Sequence, residues 1–188
     1  MNCISALRKI LIVFAVLVFA ACAENHKETG VEVPAPPIEN PEIIEFAHGA
    51  IKGRQWKYLQ GRANIFKRNN KTFLEVRLWN ERYKDPCGVA VGSKYQVRMY
   101  VPFDRGSWRI DPLDPFSLVP TIIFSDYSAN SGGKVNLIAD EGAVSINTLE
   151  KGGVMGVIQG RFTSEDVERT QAYGRFSVPL CAALFGSD

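Results

Sequence analysis

From about Phe46 onward, apolar residues recur at every second position, and no stretch sustains the 3.6-residue spacing of an amphipathic helix. Leu74, Val76 and Leu78 alternate with Glu75 and Arg77. Tyr95, Val97, Met99 and Val101 alternate with Gln96, Arg98 and Tyr100. The same rhythm runs through Val135 and Leu137, through Val144 and Ile146, and through Phe176, Val178 and Leu180. Val154, Ile158 and Phe162 share one phase, with Gly156 and Gly160 between them. Successive side chains of a strand point to opposite faces, so this pattern dictates strands with one face buried, paired antiparallel. The spacing predicts about nine or ten strands, over 50–59, 62–67, 72–79, 94–101, 107–110, 119–125, 134–139, 143–149, 153–162 and 172–180. Asn69-Asn70 and Asp140-Glu141-Gly142 are predicted as hairpin turns. Ser164-Glu165-Asp166-Val167 allows one helical turn, with Ser as its cap. The expected fold is all-β, an antiparallel β-sandwich or a small barrel.

Hydrophobic residues make up 46% of the 188-residue chain and charged residues 22%, which excludes global disorder. No apolar run after the first 22 residues is long enough to span a bilayer as a helix. Residues 46–188 are expected to form a single domain with one core.

The chain begins with a positive pair, Arg8-Lys9, then a ten-residue apolar run from Ile10 to Phe19, then Ala20-Ala21. That order describes an export signal over residues 1–21. Its end, Phe19-Ala20-Ala21-Cys22, resembles the lipobox of bacterial lipoproteins, with Phe19 where Leu is usual. The resemblance implies cleavage before Cys22 and lipidation of that Cys, hence palmitate and a membrane anchor. Ala23, where an Asp would favour inner-membrane retention, implies the outer membrane in a cell that has one. The alternative is cleavage after Ala21-Cys22-Ala23 and ordinary secretion. Residues 22–45 carry Pro34, Pro36, Pro37 and Pro41, with six Glu against one Lys after Cys22. They read as an acidic, semi-rigid tether reaching at most roughly 70 Å at about 3.1 Å per residue.

Of four Cys, Cys3 leaves with the signal and Cys22 takes lipid, so Cys87 and Cys181 remain as an even pair in an oxidising compartment. They are expected to form a disulfide worth about 4–5 kcal/mol in the chain-entropy model.

Residues 46–188 hold 19 Lys and Arg against 14 Asp and Glu. Between residues 50 and 80 there are eight basic residues and one acid, Glu75. Such a surface suits anionic headgroups or glycan phosphates, or is simply solvated. Export makes nucleic acid an unexpected partner. Four Gly-Arg dipeptides recur, at Gly53-Arg54, Gly61-Arg62, Gly160-Arg161 and Gly174-Arg175. Glycine there reads as close backbone approach, with each Arg facing water. Aromatics fall on the polar phase of some strands. Trp79 shares it with Arg77, Tyr100 with Arg98, and Tyr173 with Arg175. These six are the candidate ligand-binding residues, for a glycan or an anion. The competing reading of the aromatics is cross-strand pairing or cover by a loop.

Asp104, Asp111, Asp114 and Asp126 could supply oxygens to calcium, but Asp-Pro is also ordinary turn chemistry and no EF-hand spacing is present. No G-x-S-x-G, H-E-x-x-H or phosphate-loop motif occurs, so neither a cofactor nor a metal is expected. A carboxylate-pair hydrolase needs only two acids at the right separation, drawn from Glu75, Glu81, Asp85 and Asp126. The Asn70-Lys71-Thr72 sequon is expected to be inert in a bacterial lipoprotein. The reading as a whole is a structural, adaptor or binding module of the cell envelope rather than an enzyme, partnered by the membrane, an envelope protein or a glycan.

Overall fold

The computed structural model describes residues 45–88, 93–110, 120–128 and 133–181. The signal, Cys22, the tether, Asp111 and Asp114 lie outside the described residues. Eleven strands form: β1 (His48–Ile51), β2 (Arg54–Lys57), β3 (Gln60–Arg68), β4 (Lys71–Trp79), β5 (Tyr95–Pro102), β6 (Gly106–Arg109), β7 (Thr121–Asp126), β8 (Val135–Ile138), β9 (Glu141–Glu150), β10 (Gly153–Phe162) and β11 (Thr170–Val178). They build two antiparallel sheets, one ordered β2-β1-β11-β10-β9-β6 and the other β3-β4-β5-β7-β8. The fold is a β-sandwich, not a closed barrel.

The alternating residues meet between the sheets. Leu74, Val76, Leu78, Val97, Met99, Ile122 and Phe124 come from the five-stranded sheet. Val144, Ile146, Val154, Ile158, Ala172, Phe176 and Val178 come from the six-stranded one. A Cβ at Gly160 would stand 2.6 Å from Ile122 Cδ1 in the opposing sheet, so the two layers pack closely there.

Three local expectations are corrected. The predicted strand 50–59 is two strands, because Lys52 (φ 50) and Gly53 (φ 72) turn the chain back on itself. Arg169 O and Thr170 Oγ1 hold that turn by accepting from the Gly53 and Lys52 amides. The segment Asp140–Gly142 is not a hairpin but a crossing between sheets. β8 pairs with β7, whereas β9 pairs with β10 and β6. The Ala139 amide still donates to Ile122 O, and the next amide, of Asp140, already donates to Arg161 O in the other sheet. Residues 164–167 form a turn rather than a helical turn, with the Asp166 amide donating to Ser164 Oγ. The Asn69-Asn70 turn stands as expected, with both residues at positive φ.

Beyond β11 the chain leaves the six-stranded sheet and reaches the other. The Ala63 amide donates to Pro179 O, and the Cys181 amide donates to Ala63 O, so residues 179–181 cover part of the free edge of β3. Cys181 is bonded there to Cys87, in the loop after β4, with Cα atoms 5.4 Å apart.

Candidate functional site

The six candidate ligand-binding residues divide between the sheets. Arg77 and Trp79 lie on β4, and Arg98 and Tyr100 on β5, all on the outer face of the five-stranded sheet. Tyr173 and Arg175 lie on β11, on the outer face of the six-stranded sheet.

The first group is largely covered. Trp79 is fully buried, its ring 5.7 Å from that of Tyr83 in the loop after β4. That loop is pinned by Gln60, which donates to Tyr83 O at 3.0 Å and accepts from the Tyr83 amide at 2.6 Å. At the loop's far end Arg62 donates to Gly88 O at 2.8 Å. Cross-strand register sets Arg62 opposite Arg77, and Arg77 opposite Arg98. Among the described residues one carboxylate is hydrogen-bonded within this row: Glu75 accepts from Arg77 at 2.8 Å and from the Tyr100 hydroxyl at 2.7 Å. Burial alone would raise the pKa of Glu75, but the hydrogen bond and charge of Arg77, with help from Tyr100 and Arg98, leave it below its ordinary value. Tyr100 is pushed up to about 12, first by burial and then by the Glu75 charge. Arg62 is lowered by burial and by Arg77. Arg98 donates to Asn136 at 2.9 Å and to Ser125 at 3.4 Å.

Tyr173 stands instead in the open, 42% exposed. Its ring meets His48 edge-on at 4.2 Å between centroids, directly across from it in register. The His48 ring also reaches Phe46 O through Nδ1 at 2.9 Å. A hollow of about 740 Å³ opens beside them, lined by His48, Gln55, Trp56, Lys57, Arg169, Gln171 and Tyr173 among others. A second hollow, of about 380 Å³, is lined by Glu141, Gln159, Arg161, Gln171 and Tyr173. Gln171 and Tyr173 belong to both, so Tyr173 stands between two adjoining depressions. Arg175 lies outside both linings and stacks over the Phe46 ring at 4.9 Å.

Sequence reasoning found Tyr173 but missed Gln55, Gln159 and Gln171. Lone glutamines carry no motif, and only the register brings them to one face. It also read Arg62 as a water-facing partner of a structural glycine, whereas Arg62 is 6% exposed. Gly61 fits the expectation of close approach, since a Cβ there would stand 2.3 Å from Arg77 O.

The candidate acids are all engaged, and not with one another. Glu81 accepts from the Tyr83 hydroxyl, Asp85 from the Cys87 amide, and Asp126 from Ser128. Among the described residues no three His, Cys, Asp or Glu gather as metal ligands. Comparison with protein-family models, with curated proteins and with solved structures finds no match.

Proposed function

We propose that this chain is an exported, lipid-anchored binding module of the cell envelope, and that it holds a glycan on the outer face of its six-stranded sheet. One observation carries the reading. Tyr173 offers a half-exposed aromatic ring between two hollows whose rims carry Gln55, Gln159 and Gln171. A flat ring packs against the apolar face of a sugar, and carboxamides both donate to and accept from its hydroxyls. The larger hollow, about 740 Å³, has the size of a small-ligand site. Lys57 and Arg169 on its rim outnumber the single carboxylate there, Glu45, and favour a sugar carrying acidic groups. The lipid on Cys22 and the acidic tether would hold this face away from a membrane while keeping it near envelope polymers.

The test uses the full-length chain, solubilised in mild detergent, titrated with soluble peptidoglycan fragments and with acidic polysaccharide. Binding that falls at least about tenfold in both Tyr173→Ala and Gln171→Ala, with the melting temperature kept, supports the reading. Equal binding by the variants, or none by the wild type, defeats it. Metabolic labelling with palmitate, lost in Cys22→Ala, checks the anchor.

A further inference from the structure

The opposite face carries a different and independent feature. Residues directly across an antiparallel pair stand about 4.5–5.5 Å apart at Cβ, and like charges there repel. Arg62, Arg77 and Arg98 form such a row across three consecutive strands. Glu75 is the carboxylate bonded within it, and Asp85 adds negative charge near Arg62. Three guanidiniums therefore face fewer carboxylates than they need. Their hydrogen bonding is incomplete as well. The Nε–H of each of the three is buried and has no partner among the described residues. A buried donor left unmatched is costly, and here the same donor is unmatched three times in one row. Beyond Glu75 in the register, Phe66, Phe73 and Tyr100 form an aromatic cluster, with ring centroids 5.5 and 5.8 Å apart.

We propose that the Arg62–Arg77–Arg98 row is a binding site for a phosphate group. Arginine binds phosphate side-on through Nε–H together with an Nη–H, which would use the donors now unspent. A tetrahedral oxyanion presents enough oxygens to serve three forks. A carboxylate has two oxygens, and in this row Glu75 already fills that part. The site opens at its Arg98 end, where the side chain is part-exposed and bonds to exposed Asn136. Its Arg62 end is closed by the Gly88 carbonyl and the disulfide loop.

The test is a titration of the full-length chain with inorganic phosphate, with chloride holding the ionic strength constant, followed by thermal unfolding and phosphorus NMR. Saturable stabilisation by phosphate is expected. Arg98→Gln, at the open end, should weaken it at least tenfold, and Arg98→Lys should weaken it less. Lys151→Gln, in the exposed turn between β9 and β10, should leave it unchanged. A purely structural row would lower the melting point of Arg98→Gln by the same amount with and without phosphate, and that result overturns the proposal. So does the absence of any saturable effect on the wild type. Glycerol 3-phosphate competing for the site assigns the phosphate to a small ligand. Capture by phosphatidic acid vesicles, lost in Arg98→Gln, assigns it to lipid.

Discussion

On the outer face of the five-stranded sheet, Arg62, Asn64, Glu75, Gln96 and Thr121 are all buried. On the outer face of the six-stranded sheet, Gln159, Arg161, Tyr173 and Arg175 stand in water. Both faces are the polar half of the same alternation. Part of the difference is a chain segment laid over one end of the first face. The loop after β4 returns across Gln60, Arg62 and Trp79 and is bolted down by the Cys87–Cys181 bond. Period-two patterning says which side chains point away from the core. It does not say whether they meet solvent. Once such a face is covered, ion pairs that would be nearly neutral at a surface become energetically decisive.

The difference can be broken at several points. The largest effect is expected from removing the bolt. Cys87→Ser with Cys181→Ser should lower the unfolding free energy by about 4–5 kcal/mol, the chain-entropy value for a link spanning 94 residues. Chemical denaturation with and without reductant measures it, and reductant should then change only the wild type.

Next comes the carboxylate under the cover. Glu75→Gln leaves Arg77 and its neighbours without their counter-charge and should cost about 3 kcal/mol. The matching change on the open face, Glu141→Gln, breaks the exposed Arg161 pair and should cost less than about 0.5 kcal/mol. Similar costs for the two would erase the contrast between the faces.

An effect smaller than that of Glu75→Gln is read against pH. The folded-state pKa of Glu75 is lowered, so its contribution is present above the ordinary value of 4.5 and fades as pH falls through the lowered one. Tyr100 is raised from 10.0 to about 12, so its contribution is present below pH 10 and fades as pH climbs toward 12. Tyr100→Phe should cost about 1.5–2 kcal/mol at neutral pH, the scale of a hydrogen bond to a charged partner. It should also flatten the loss of stability between pH 10 and 12. An unaltered alkaline limb would show that folding does not raise the pKa of Tyr100.

Much of the architecture was legible because burial imposes it. The strand 153–162 could be read from Val154, Ile158 and Phe162, with Gly156 and Gly160 between them, since one buried face repeats every second residue. The pairing of Cys87 with Cys181 followed from elimination. What stayed hidden depended on contacts between distant segments. Lys52-Gly53 lacks the Asn or Asp of a familiar hairpin turn, and Arg169 and Thr170, more than a hundred residues later, hold it. Asp140–Gly142 carries the punctuation of a hairpin, but acid and glycine equally serve a strand that changes sheets. The aromatic–arginine set was read as one group because phase was visible and sheet membership was not. Tyr173 and Tyr100 occupy equivalent phases on opposite sides of the molecule.

The disulfide also sets a clock. At about 5–20 residues per second, the 94 residues from Cys87 to Cys181 take roughly 5–20 s to synthesise. Over that interval the thiol of Cys87 has no native partner. The segment 179–181 that covers part of the β3 edge is likewise not yet made. A nascent sheet with an open edge and a free thiol invites pairing with neighbouring chains. Residues 179–181, made last among the described residues, thus close the open edge and supply the thiol's partner together.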